Sequence, residues 1–360
     1  MEMEKFLKEI KKLQKEINFY LKEFFERKIK EAKEKERKIL IKNLKDFCLA
    51  GGKRLRPILF CFGFELSGKK LTKRILRTSI FLELLHSYLL IHDDIIDQDV
   101  LRHNQATLNF YYQKIAKSQF KIRNYLEAKH FGDSLAIILG DLCFNLCLEN
   151  FLESFREDKK RFSKIFSKFM EVVDDVVFGQ SQDVMLEKKS KISFEEIISV
   201  YFYKTASYSF VGPLKLGAIF GDLKEKTFEK IEEFAIPMGI AFQIQDDLLG
   251  VFGKKSETGK STFSDICQGK RTLLFYLASQ WAQKDDKKFL KKWYGHPKIS
   301  KEKAEKIKEI FKKTKAKEYC QNLAEDLFLK AKEIIEKSDF PKKIKEKLIL
   351  LSLYLAQRRY

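Results

Sequence analysis

Only 5 prolines and 16 glycines interrupt 360 residues. So few breakers, set among abundant Lys, Glu, Leu, Ile and Phe, favour long helices over a β-rich fold. Apolar residues recur at helical spacing along most of the chain. Phe6, Ile10, Leu13, Ile17 and Leu21 mark an amphipathic helix over 3–35, inside an N-terminal helical segment 1–40. Apolar helices are expected at 57–66 and 72–101, the first starting near Pro57. Residues 134–152 are apolar on nearly every face and should be buried. Helical patterns continue at 160–185, 194–220, 226–252, 272–292, 300–337 and 341–358. Two stretches break the pattern. Residues 102–131 are polar and less regular, and 253–271 reads as a loop. With no convincing strand, no repeat and no shift in composition, the reading is all-α, one large helical domain over 1–360.

The formal net charge of +20 admits nucleic acid, an anionic membrane surface or phosphorylated substrates as partners. Runs such as 33–38 alternate in sign and read as solvated helix. There is no zinc-finger spacing and no RNA-binding aromatic signature, so nucleic acid is not expected. The six cysteines form neither a disulfide framework nor a zinc pattern, which suits reduced thiols in a cytoplasmic protein. The charged N-terminus does not resemble a signal peptide, and no apolar run of about 20 residues suggests a membrane span.

Two acidic strings carry the chemistry. In HDDIID, Asp93 and Asp97 are four apart and share one helix face, with Asp94 between them. The apolar run before them argues that this helix is buried, and buried carboxylates need a partner or a metal. Two carboxylates so placed can share Mg²⁺ with a phosphorylated ligand. In FQIQDD, Gln243 and Asp246 share a face, while Asp247 is turned about 100° away. Lys260, Asp265 and Lys270 follow in the loop. A third acidic pair, Asp174-Asp175, has no basic loop beside it and reads as solvated or helix-pairing.

Basic groups complement these acids. In GGKRLRP, Lys53, Arg54 and Arg56 crowd positive charge into four residues after two glycines. Arginine offers forked donors that match phosphate, and lysine a mobile point charge. The string lacks P-loop spacing. His86 lies seven residues before Asp93 and returns to nearly the same face. Arg102 and His103 follow the first acidic string.

Seven strings occur in one order: GGKRLRP, LLHSYLLIHDDIID, SLAIILGD, GQSQD, KTA, FQIQDDLLGVFG and SDICQGKRT. Together they resemble the trans-isoprenyl diphosphate synthases (polyprenyl synthetases) over about residues 45–275. The resemblance implies helices around a central cavity, usually a homodimer, and head-to-tail condensation of isopentenyl diphosphate with an allylic diphosphate. The catalytic set it implies is Asp93, Asp94, Asp97, Arg102, Lys204 and Asp246. Three Mg²⁺ are implied, two on Asp93 and Asp97 and one on Asp246. The allylic diphosphate would meet Arg102, Lys204, Thr205, Gln243, Lys260 and Lys270. Isopentenyl diphosphate would meet Lys53, Arg56 and His86.

The chain departs from the family at four places. His103 stands where a second arginine is usual, and it can still bind phosphate. Residues 104–107 read Asn-Gln-Ala-Thr in place of Gly-x-Pro-Thr. Gly250 replaces a third aspartate. The segment 108–130 is longer than usual. For product length, Tyr88 at the fifth position before Asp93 resembles C20-type synthases, with C15 the runner-up. Helix geometry would instead turn Leu89 towards the aspartate face. Two other readings stay open. A class I terpene cyclase would need neither GGKRLRP nor His86. A non-catalytic subunit of a heteromeric synthase would not need the intact acids, although His103 is compatible with it. The basic surface also leaves peripheral membrane contact open.

Overall fold

The computed structural model describes residues 2–156, 159–253, 263–296 and 298–357. Its contacts divide the chain into two compact units. One runs to Cys61 and resumes over Lys70–Ser163; the other comprises Phe62–Lys69 and Lys164 onward.

The first unit contains α1 (Glu2–Glu31), α2 (Lys35–Leu49), the start of α3 (Leu55–Glu65), α4 (Lys73–Ile96), α5 (Leu108–Ser118) and α6 (Tyr125–Phe155). The expected N-terminal helix is thus two helices, parted at 32–34. Local signals start the later ones: Thr72 Oγ1 caps α4 at Ile75 N, and Asn124 Oδ1 caps α6 at Leu126 N and Glu127 N. Helix α4 packs along α6, and the seam is aromatic. Phe81 meets Phe60 and Phe151 with ring centroids 5.8 and 5.3 Å apart, and Phe151 meets Phe155 at 4.7 Å. By length and composition α6 could cross a membrane, contrary to the reading of the apolar runs. Its inner face is instead committed to protein: Ala136, Leu139, Cys143 and Cys147 are buried. Both thiols donate to carbonyls of α4, Cys143 to Leu84 and Cys147 to Phe81.

The segment expected to be irregular, 102–131, is ordered. Strand β1 (Leu101–Arg102) pairs antiparallel with β2 (Gln105–Ala106), and α5 follows directly. His103 and Asn104 make the two-residue turn with φ of 50° and 61°. Tight hairpins favour positive φ at both turn positions, which Asn tolerates well and His less so. A strand this short has no alternation to read.

The second unit begins with most of α7 (Lys159–Lys188), then α8 (Phe194–Val200), a π-helical segment (Tyr201–Val211) and α9 (Gly212–Phe220). It continues with α10 (Glu225–Phe252), the short α11 (Ser264–Gln268), α12 (Leu273–Trp281) and α13 (Lys284–Trp293). It ends with α14 (Lys301–Lys313), α15 (Ala316–Lys337) and α16 (Lys342–Ala356). Ser193 and Glu196 form a reciprocal capping box at the start of α8. Helix α10 is the centre of this unit, packed against the π-helical segment and α15. The expected long helix 194–220 therefore holds an unforeseen change of winding. Wider i→i+5 turns are rare and gather at functional sites.

Candidate active site

In the first unit α4 ends inside the acidic string. Asp97 is its C-cap, and its N–H donates to Asp93 O at 2.8 Å, so the two residues remain one turn apart. Asp93 and Asp97 are half-buried, whereas Asp94 is 1% exposed. Arg102 reaches back from β1 to hold it: Nε and Nη2 lie 2.8 and 2.6 Å from Asp94 Oδ1, and Nη2 lies 3.5 Å from Asp93 Oδ2. Burial alone would favour a neutral Arg102, but the Asp94 charge and hydrogen bond outweigh it and raise its pKa. Asp94 is therefore the acid that orients Arg102, while Asp93 and Asp97 carry the more accessible carboxylates.

The basic turn after α2 has separated roles. Arg54, 4% exposed, forms a buried ion pair with Glu83 on α4. It also donates to Asn18 Oδ1 at 2.7 Å and Cys48 O at 2.8 Å. Arg54 thus fastens the turn to α1, α2 and α4. Lys53 is exposed and Arg56 half-buried. The His103 ring lies against Gly51, where an added Cβ would sit 3.1 Å from His103 Cγ. That contact joins the hairpin to the basic turn. Between them lies a cavity of about 260 Å³, lined by Gly51, Arg54, His86, Arg102 and His103 among others. Burial, together with the charges of Arg56, Arg102, Arg54 and His103, pushes the His86 pKa well below its usual value. His86 is neutral near pH 7, with one N–H to donate and one nitrogen to accept.

Tyr88 and Leu89 are both half-buried on α4. The Tyr88 ring lies 4.8 Å from His92 and 5.0 Å from Phe144 of α6.

In the second unit the acids are held differently. Asp247 is buried and receives hydrogen bonds from Tyr201 OH and from Gln243 Nε2, the latter at 2.8 Å. Thr205 Oγ1 donates to Gln243 Oε1 at 2.5 Å, and Leu273 N donates to Tyr201 OH at 2.9 Å. Burial raises the Asp247 pKa to about 8 against the opposing effect of these donors, with Asp265 and Asp246 adding to the rise. Asp246 is half-buried beside it.

Lys204 and Lys270 converge on α7. Lys204 Nζ is 2.5 Å from Asp183 Oδ2; Lys270 Nζ is 2.9 Å from Glu187 Oε1 and 3.6 Å from Asp183 Oδ2. The π-helical segment approaches α7 at Gly179, where an added Cβ would lie 2.3 Å from Lys204 N. The string GQSQD thus supplies both the small residue and the carboxylate. Asp183, Glu187 and Tyr201 have no role in the reading of the motifs. The available signal was the i, i+4 spacing of Asp183 and Glu187, which puts both acids on one face of α7.

Gly250 has a spatial cause. A Cβ there would fall 1.9 Å from Asp265 Oδ2, so the Asp265 carboxylate rests on the bare backbone of α10. Asp265 O also accepts from Gly269 N at 3.0 Å and Lys270 N at 3.1 Å, shaping the turn that presents Lys270. Lys260 lies outside the described residues.

Among the described residues, no group of three or more His, Cys, Asp or Glu is arranged to hold a metal ion by itself. Mg²⁺ prefers a few carboxylates, completing its shell with water and phosphate oxygens. Asp93 with Asp97, and Asp246 alone, suit an ion that arrives with a diphosphate.

Each unit thus carries an acid-bearing helix with cations in the same unit: α4 with Arg102 in the first, and α10 in the second, where Lys204 and Lys270 meet α7. The chain belongs to the polyprenyl synthetase family, matching it over residues 37–314, and is a prenyltransferase. It is 30% identical to a geranylgeranyl diphosphate synthase of Sulfolobus acidocaldarius over 82% of this chain and 84% of that protein. It is 29% identical to one from Saccharolobus solfataricus, over 86% and 87% of the two chains. A crystal structure of geranylgeranyl pyrophosphate synthase from Corynebacterium glutamicum, complexed with isoprenyl diphosphate and magnesium, matches at a TM-score of 0.91 and 27% identity. That match covers 97% of this chain and 99% of the other.

Proposed function

We propose that this prenyltransferase condenses isopentenyl diphosphate head to tail with a C5–C15 allylic diphosphate. Its main product is geranylgeranyl diphosphate (C20), with farnesyl diphosphate (C15) next. The observation that carries this reading is the 260 Å³ cavity, in which Arg54, Arg102 and His103 gather around a neutral His86. Such a cavity suits a second diphosphate substrate, which a cyclase does not use. The names of the relatives support the C20 product.

Lys53, Arg56, His86 and His103 bind isopentenyl diphosphate in this reading. Arg102, Lys204, Thr205, Gln243, Lys260 and Lys270 take the allylic diphosphate. Lys204 and Lys270 rest against Asp183 and Glu187 until a diphosphate competes for them. Asp93, Asp97 and Asp246 would hold three magnesium ions, which when bound would supply positive charge for the departing diphosphate. The arginines and lysines stabilise the same developing charge and so lower the barrier to an allylic cation. Such a cation must be kept from water, which would quench it. Tyr88, whose ring is tilted against Phe144 and which is next to Leu89, limits product length.

One polyprenyl synthetase domain is the organisation we favour, supported by a family match that runs through both units. Exposed Ile137 and Ile138 on α6 support a homodimer, and a cytoplasmic location follows the family.

Chromatography of products from labelled isopentenyl diphosphate with C5, C10 and C15 primers tests this directly. C20 should dominate with every primer. Accumulation of C15 alone would reject the product assignment, and cyclic hydrocarbon from a lone allylic diphosphate would reject the reaction. Tyr88→Ala should lengthen the product; an unchanged spectrum rejects Tyr88 as the floor.

A further inference from the structure

A second, larger cleft opens in the first unit, enclosed by α1, the start of α4 and the end of α6. Its volume is about 590 Å³, within the range of small-molecule sites. Along α4 it ends at Ile80, thirteen residues or roughly 20 Å before Asp93 at 1.5 Å per residue. It shares no lining residue with the 260 Å³ cavity.

The lining is cationic. Arg27, Lys73, Arg74 and Arg77 face it against only Glu23 and Glu153. Two of the arginines are stacked in place. Arg77 Cζ lies 5.3 Å from the Tyr20 ring centroid, and Arg27 Cζ the same distance from that of Phe24. Arg77 also pairs with Glu23 at 3.0 Å, and Arg27 with Glu153 at 2.6 Å. These contacts pre-orient the guanidinium forks at the cleft. Arg74 makes a long contact with Ser154 O, at 3.4 Å.

Within the cleft Asn150 is 6% exposed, and its Oδ1 is buried without a hydrogen-bond partner. Such groups are rare because an unmet buried polar atom is costly. An amide rotated by half a turn would present its NH₂ to an anion at the same point. Tyr20, Phe24 and Ile80 add a buried apolar wall. Forked cations, a buried polar side chain without a partner and an apolar wall fit an anion bearing hydrocarbon. We propose that this cleft is an accessory site for a diphosphate, free or prenylated, apart from the catalytic groups. The site needs no metal, because arginine and lysine supply all its charge.

Equilibrium binding to the full-length protein in EDTA tests this, with inorganic diphosphate and geranylgeranyl diphosphate as separate probes. The wild type should bind. Arg74→Glu/Arg77→Glu should weaken binding at least tenfold, with its initial turnover unchanged. Asn150→Leu, which removes the buried amide, should weaken binding in the same way and guards against misfolding of the charge reversal. Tighter binding of the prenylated probe would assign the site to product, and equal binding to free diphosphate. Wild-type affinity in both variants would overturn the site.

Discussion

The two acidic helices carry similar strings but are neutralised in different ways. On α4 the buried Asp94 is met by a permanent cation, Arg102, held in the same unit. On α10 the buried Asp247 is met by the neutral donors Tyr201 and Gln243, and its pKa rises to about 8. Lys204 and Lys270 of that unit reach instead to α7, paired with Asp183 and Glu187. Asp94 faces a charged partner, whereas burial among neutral donors raises the Asp247 pKa to about 8. α10 thus offers Asp246 as its more exposed carboxylate, while α4 offers Asp93 and Asp97 together.

The largest effect should come from breaking the α4 set. Asp93→Ala should lower kcat/KM on the order of 10³-fold, comparable to removing a group that stabilises transition-state charge, with no rescue by added Mg²⁺. Near-normal turnover would end the metal assignment. The matching change on α10 should be mild. Asp247→Asn replaces a protonated acid with a near-isostere, and should cost less than about tenfold, or 1.4 kcal/mol of activation free energy. A loss as large as that of Asp93→Ala would show that the two helices work alike.

Arg102→Ala should destabilise the protein by about 3 kcal/mol in urea melts, because it removes the arginine pair from the buried Asp94 carboxylate. Gly250→Ala sharpens the contrast on the other helix. Its Cβ must displace Asp265, so kcat/KM should fall about tenfold, a loss of about 1.4 kcal/mol. An unchanged rate would mean that the Asp265 seat is idle.

The smallest effect is a pH dependence confined to the first unit. The folded-state pKa of His86 lies below its unfolded value, so below about pH 6.5 the unfolded chain binds the extra proton. Stability should fall as pH drops through that value and level off above it. His86→Gln should remove this part of the slope, and an identical pH–stability curve would show that His86 protonates freely.

Much of the site was legible because its chemistry is written in local spacing. Asp93 with Asp97, and Gln243 with Asp246, are three or four residues apart, and helix geometry alone puts each pair on one face. Other features had no local signature. Within GGKRLRP nothing marks Arg54 as the residue that Glu83 buries. The carboxylates that restrain Lys204 and Lys270 come from α7, earlier in the chain. The hairpin at 101–106 is too short to show alternation, and the π-helical winding keeps a helical apolar pattern.

By itself the sequence determined the helical class, the order of the motifs and the residue types that stand in them. These follow from composition and from periodicities of a few residues. The tertiary structure decided which acid is buried against a cation and which is buried against neutral donors. It also decided which arginine is structural, and that Gly250 is the seat of Asp265. Burial, pairing and protonation depend on what other elements bring to a side chain, and no spacing along one helix records that.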